Sequence, residues 1–212
     1  MLITETLYAP DRKTWRTWLK NHFRNAKEIW LVYYRKEAGK PRVAYHDAVE
    51  EALCFGWIDS TAKKIDEERF AQRFSPRRPG SEYSQTNKER LRLLIARRRV
   101  PGNVRAGLGD IDPEKYVFPV DIMKALRANR KACANFRKYG APYQRIRIAY
   151  IESARRRPAE FKKRLANFIK LTAQDRQFGY GIESFFRAPD QSSTLPGIRL
   201  GSIRKYSAKT RC

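Results

Sequence analysis

An α+β fold, in which a small antiparallel sheet packed by helices is followed by a helical C-terminal module, is what this 212-residue sequence predicts. Three observations carry the prediction. Residues 29–34, IWLVYY, form an unbroken apolar and aromatic run that suits a buried strand better than a short helix. Residues 58–65 and 69–74 flank Asp66-Glu67-Glu68 and read as a short hairpin. Beyond residue 119 the apolar residues recur at helical spacing.

Taken in order, residues 11–23 predict an amphipathic helix, with Trp15, Trp18, Leu19 and Phe23 on one face and Asp11 as N-cap. After the first strand, Ala38-Gly39-Lys40-Pro41 makes a turn. Residues 46–55 are helical, with Ala48, Val49, Ala52, Leu53 and Phe55 on one side, and Gly56 ends them. Pro76 and Pro79 close the second hairpin strand. A helix then starts at Ser84 or Thr86 and runs to about Arg99; Thr86-Asn87-Lys88-Glu89 fits the capping-box pattern. Residues 101–119 are linker-like, carrying Gly102, Gly107, Gly109, Pro113 and Pro119 around one short turn of helix. Three helices follow over 120–139, 143–156 and from Pro158, a favourable first helical residue with Glu160 in its first turn. These readings divide the chain into an α+β domain at 1–118, a helical module at 119–180 and a basic, mobile tail at 181–212.

The formal charge is +24, from 46 Lys and Arg against 22 Asp and Glu. Residues 119–180 hold 16 basic and 4 acidic side chains, a net of +12, so half the excess sits in the helical module. Such a field attracts polyanions such as nucleic acid or anionic lipid, and it equally serves solubility with no dedicated partner. Cys54, Cys133 and Cys212 are odd in number and widely spaced, which argues against a disulfide framework and against a zinc site. No run approaches 18 apolar residues and no signal-like segment opens the chain, so the expected setting is cytoplasmic, without a membrane span. His46 and Cys54 are eight residues apart on one helix, about 12 Å along its axis, too far to form a nucleophilic pair. With only two histidines and no paired carboxylates at useful spacing, the sequence points to no catalytic set, no metal and no cofactor.

The richest stretch is 52–87. Arg77, Arg78, Ser81, Ser84, Asn87 and Arg90 combine planar guanidinium donors with the exposed N–H groups of a helix start, a pairing suited to phosphate or carboxylate. Lys63 and Arg73 on the hairpin extend the set. The competing structural reading has a serine or threonine capping the helix while the Arg pair is solvated or holds Asp59. Trp57 and Asp59 form a second candidate: the Trp paves a pocket or belongs to the core, and the Asp orients a ligand or an arginine. The triplets at 97–99, 155–157 and 162–164 read as nucleic-acid backbone contacts or as solvated helix faces.

With these pieces placed, the chain resembles the bacterial YdeI/OmpD-associated, or bacteriocin-protection, family. The resemblance rests on Trp15, Trp18 and Leu19, on Trp30-Leu31-Val32, on Tyr45 and Ala48, and on the run Glu51-Ala52-Leu53-Cys54-Phe55-Gly56-Trp57-Ile58-Asp59-Ser60. Arg73-Phe74-Ser75-Pro76-Arg77, Ser81, Ser84, Asn87 and Arg90 complete it over about 75 residues. A looser match covers about 120–172, through Ala125-Leu126, Phe136, Ile151, Ser153-Ala154 and Arg164. Tyr83 stands where the family commonly has Trp, and Arg98 where it commonly has Gly. The resemblance implies a role in envelope stress or protection from bacteriocins, and brings no reaction or cofactor with it. The expectation is a non-enzymatic binding protein with an anion-accepting pocket and an anionic small molecule or polyanion as partner. A non-specific nucleic-acid binder is the alternative, and a small enzyme acting on an anionic metabolite the third reading.

Overall fold

A computed structural model describes residues 2–179. The chain divides into two compact units, one ending at Asp112 and the other beginning at Pro113. The segment 181–212, expected to be a mobile basic tail, lies outside the described residues.

The first unit is built on a four-stranded sheet in the order β1-β2-β4-β3. Its strands are β1 (Thr6–Tyr8), β2 (Ile29–Tyr34), β3 (Trp57–Lys64) and β4 (Arg69–Pro76). The expected strands pair antiparallel, β2 with β4 and β4 with β3. β1 adds a parallel edge beside β2, with Leu7 opposite Leu31, so the sheet is mixed rather than purely antiparallel. Three residues are too few to show a period, which is why β1 escapes a reading by pattern. At the hairpin, Asp66 supplies the turn chemistry that Gly or Asn usually brings: its Oδ1 accepts the N–H groups of Glu68 and Arg69 at 3.0 and 2.8 Å.

Four helices accompany the sheet: α1 (Arg12–His22), α2 (Tyr45–Cys54), α3 (Gln85–Ala96) and the short α4 (Gly102–Arg105). Asp11 caps α1 by accepting the Thr14 N–H at 2.7 Å. One sheet face presents Ile29, Leu31 and Tyr33 from β2 and Phe74 from β4, and these join Trp15, Leu19, Leu53, Leu91 and Leu94 in one core. Each fully buried Leu, Ile or Phe there contributes roughly 1.5–3 kcal/mol. α2 ends at Gly56, whose φ of +74° is open to glycine and costly for other residues.

α2 also delivers an acid into the interior. Glu51 is 0% exposed and accepts from Arg12 Nε and Arg99 at 2.5 Å each, and from Arg16. Arg12 continues to Asp47 at 2.5 Å and Glu50 at 2.8 Å. Burial pushes the Glu51 carboxyl up, yet the hydrogen bonds from Arg12 and Arg16 outweigh it and hold Glu51 below its ordinary value. Cys54, one turn on, is fully buried and its thiol is pushed up to about 11 by burial and by Glu51, the inert kind of cysteine.

α3 is capped by Ser84, whose Oγ accepts the Asn87 N–H, so the Thr86-centred capping box does not form. The helix ends at Ala96, before the expected Arg99, because Arg98 adopts φ +55°. Bonds from Arg98 N to Ile95 O and Arg99 N to Leu94 O, both 2.9 Å, close it as a Schellman turn.

The second unit holds α5 (Val120–Ala128), α6 (Arg130–Lys138), α7 (Ala141–Glu152) and α8 (Pro158–Ala173). The single helix expected over 120–139 is therefore two. Asn129 sits at φ −105°, ψ 100°, outside the helical region, and its side chain caps α6 by accepting the Ala132 N–H at 3.0 Å. Ile122, Leu126, Phe136, Tyr143, Ile151 and Phe168 form the core of this unit. Among the described residues, no helix is long and apolar enough to cross a membrane.

Candidate functional site

The loop from β4 to α3 builds a cleft. Arg77 N–H donates to Gly56 O at 3.0 Å, which ties the loop to the end of α2. Pro79 and Gly80 then occupy the two central positions of a tight turn, Gly80 at φ +73°, closed by Ser81 N to Arg78 O at 3.2 Å. One terminal nitrogen of Arg77 donates to Ser81 O and Oγ at 2.7 and 2.8 Å, and its guanidinium lies 3.4 Å from the centre of the Tyr83 ring. Burial pushes the Tyr83 hydroxyl up, against a smaller pull from Arg77. Arg77 is thus locked to its own loop by stacking and hydrogen bonds, with its remaining N–H groups still to be used.

This loop lines a cleft of about 800 Å3 together with Lys27, the β3 residues Ile58 and Ser60, the β4 residues Arg73 and Ser75, and the start of α3. Arg73 is neutralised there. Its Nε and a terminal nitrogen reach Glu28 Oε2 at 2.7 and 2.6 Å, and another reaches Ser60 Oγ at 3.3 Å. Glu28 is held below its ordinary value by hydrogen bonds from Thr4 and Arg73. Lys27 and Arg78 are exposed and make no ion pair among the described residues. No acid stands in the first turn of α3, so the N–H groups of Gln85 and Thr86 keep their positive end of the helix dipole. Among the described residues, Glu82 is the one carboxylate on the cleft wall.

Of the residues singled out from sequence, Arg73, Arg77, Arg78, Ser81, Ser84 and Asn87 come together in this cleft. Arg90 stands behind them and donates to Asn87 Oδ1 at 2.9 Å. Three others go elsewhere. Trp57 is 1% exposed and donates from Nε1 to Phe23 O at 3.1 Å, with its ring edge-on to Trp18; it is core, not pocket wall. Asp59 pairs with Phe74 on the core face of the sheet and accepts from the Tyr45 hydroxyl at 2.5 Å, away from the cleft lining. Lys63 lies beyond the β3 irregularity between Asp59 and Ala62, its ammonium 6.0 Å from the Trp30 ring. Strand alternation explains the sorting: Ile58 and Ser60 face the cleft, and the residues between and beside them do not. Lys27 and Tyr83, which the sequence reading did not choose, do line it. Lys27 follows no motif, whereas Tyr83 sat in plain view as the aromatic beside an Arg-Pro-Gly turn.

Among the described residues, no three His, Cys, Asp or Glu side chains converge in a metal-holding group. The cleft gathers the cationic side chains of Lys27, Arg77 and Arg78 and the start of α3 beside the Glu82 carboxylate.

Two family models match the chain. One, described as a domain of unknown function (DUF8412), covers residues 7–106. The second, described as Bacteriocin-protection, YdeI or OmpD-Associated, covers residues 115–175. Residues 115–175 are thus similar to the YdeI/OmpD-associated family. The YdeI/OmpD-associated match falls on helices α5–α8, where the sequence motifs are the looser ones, while the denser motifs over 15–90 fall within the other matched domain. In the YdeI/OmpD-associated segment the basic triplets are partly consumed by internal pairing. Arg155 binds Asp121 at 2.5 and 3.0 Å and Glu152 at 2.5 Å, and Arg164 binds Glu160 at 2.7 Å. No curated protein and no solved structure matches the chain.

Proposed function

We propose that this protein is a non-enzymatic binding protein of bacterial envelope-stress or bacteriocin protection, acting in the cytoplasm, and that its first unit takes a small phosphate- or carboxylate-bearing anion. One observation carries the reading: Lys27, Arg77 and Arg78 converge with the acid-free start of α3 on a single cleft. Guanidinium groups offer paired donors in the geometry of a carboxylate or phosphate edge. Backbone N–H groups at a helix start add donors already aimed at the ligand, at the positive end of the helix dipole. The likeness of residues 115–175 to a bacteriocin-protection family supports the protective role, and the cleft supports the chemistry.

The test is thermal stability against a panel of phosphorylated and carboxylate metabolites, inorganic phosphate, and DNA and RNA oligomers, each at two salt concentrations. A ligand present at a hundred times its Kd stabilises the native state by about 2.7 kcal/mol, a Tm rise of several degrees. We expect one class of small anion to produce that rise and Arg78→Ala to remove most of it. Stabilisation by polymers alone, collapsing at high salt, would replace this reading with non-specific nucleic-acid binding. Turnover of the bound anion would make the protein an enzyme instead.

A further inference from the structure

The loop at 77–83 also lines an adjoining cleft of about 480 Å3, with Arg77, Arg78, Ser81, Glu82 and Tyr83 common to both. Each volume falls in the range of roughly 300–1,000 Å3 typical of small-molecule sites. The two lobes differ in chemistry. The first is the cationic one already described. The second is walled by Gly56, Gly107 and Gly109, by the apolar Val104 and Leu108, and by Lys88 and Asp110.

Glycine walls expose flat peptide surface and let a ligand approach the backbone closely. A Cβ added at Gly56 would meet only Val104 Cγ1 at 3.7 Å, so that wall is open rather than packed. A bare phosphate has no use for such a surface; an organic body attached to the phosphate does. The carboxylates of Glu82 and Asp110 in this lobe are acceptors for hydroxyl and amino groups.

We propose that the double cleft binds a nucleoside monophosphate, with its phosphate in the lobe at the start of α3 and its nucleoside against the glycine-walled lobe. The proposal rests on the anion reading of the first lobe and extends it along the 77–83 loop into the adjoining one.

Isothermal titration with inorganic phosphate, ribose 5-phosphate, adenosine, the nucleoside monophosphates and a short oligonucleotide tests both layers separately. A nucleoside monophosphate should bind at least about tenfold tighter than inorganic phosphate, with ribose 5-phosphate between them. Gly107 is outside the left-handed region, and a Cβ there would meet Val104 O at an ordinary 3.7 Å, so Gly107→Leu fills the second lobe without backbone strain. That variant should lose the nucleotide's advantage while keeping inorganic phosphate binding, which also verifies its fold. Lys88→Ala should weaken the nucleotide several-fold and leave phosphate unchanged, whereas Arg78→Ala should weaken both. Equal affinity for nucleotide and phosphate would overturn the second lobe and leave the anion site standing. Absence of binding by either would overturn both, and an oligonucleotide binding tighter than the monophosphate would overturn the choice of ligand.

Discussion

Single side chains in this protein carry more tension than its core suggests. Tyr33 is 2% exposed in the middle of β2, stacked on Phe70 at 5.1 Å, and its hydroxyl has no hydrogen-bond partner among the described residues. Burial drives that hydroxyl strongly toward its neutral form. An unsatisfied buried hydroxyl costs about 1–3 kcal/mol, so Tyr33→Phe should leave stability unchanged or raise it by about 1 kcal/mol in chemical denaturation. A loss above that size would mean the hydroxyl is partnered in solution. At this scale the sequence was legible wherever chemistry is local. Ser84 as a cap, Arg77 and Arg78 beside a Pro-Gly turn, and Asp11 before α1 all follow from neighbours within four positions. Asp59 and Lys63 were not legible. Which sheet face they meet depends on register and on the irregularity between Asp59 and Ala62, and neither is written locally. Glu51 was missed for the same reason: its three arginines come from positions 12, 16 and 99.

Elements end where backbone sterics permit, and two helices here end expensively. α3 and α8 both close as Schellman turns, and the left-handed positions are Arg98 at φ +55° and Asp175 at φ +54°, not glycine. The left-handed conformation costs an L-residue roughly 1–2 kcal/mol, of which a glycine's greater unfolded-state freedom gives back roughly 0.5–1. Arg98→Gly should therefore stabilise the first unit by about 0.5–1 kcal/mol, read as a higher denaturation midpoint at unchanged slope. The family resemblance had already marked this position as one where glycine is common. Asn129 is the opposite case, a polar residue inside an apparently continuous helical pattern that caps a new helix instead of prolonging the old one. Hydrophobic period runs through such a break undisturbed, because Ile122, Leu126, Cys133 and Phe136 all still face inward. Periodicity alone thus merges what a single side-chain hydrogen bond divides.

For the whole molecule, a charge of +24 is tolerable because the acids are spent where they count most. Asp47, Glu50 and Glu51 face Arg12, Arg16 and Arg99, and Glu28, Asp121 and Glu160 each hold an arginine. Glu51, Glu28, Asp121 and Glu160 all sit below their ordinary values in the folded protein. The stability they lend is complete above the ordinary glutamate value of 4.5 and fades as pH falls through the lower folded values. Unfolding midpoints should accordingly be flat near neutrality and drop steeply in acid. Glu51→Gln leaves three arginines around an uncharged amide and should cost about 3–5 kcal/mol at pH 7, with a shallower acid limb than the parent. A parent-like acid limb in that variant would show that other carboxylates govern it.

The tether on Arg77 has one more consequence. Its guanidinium is stacked on Tyr83 and bonded to Ser81, and its backbone is fastened to Gly56, all before any ligand arrives. A flexible arginine reaching for an anion surrenders rotamer freedom on every encounter; this one has surrendered it on folding. On the proposed reading, an anion meets Arg77 already set, and its capture should be limited by diffusion through a positive field rather than by rearrangement of that side chain. Selectivity among anions would then fall to shape at the Arg77 wall, since a side chain held in place cannot adjust itself to the wrong guest.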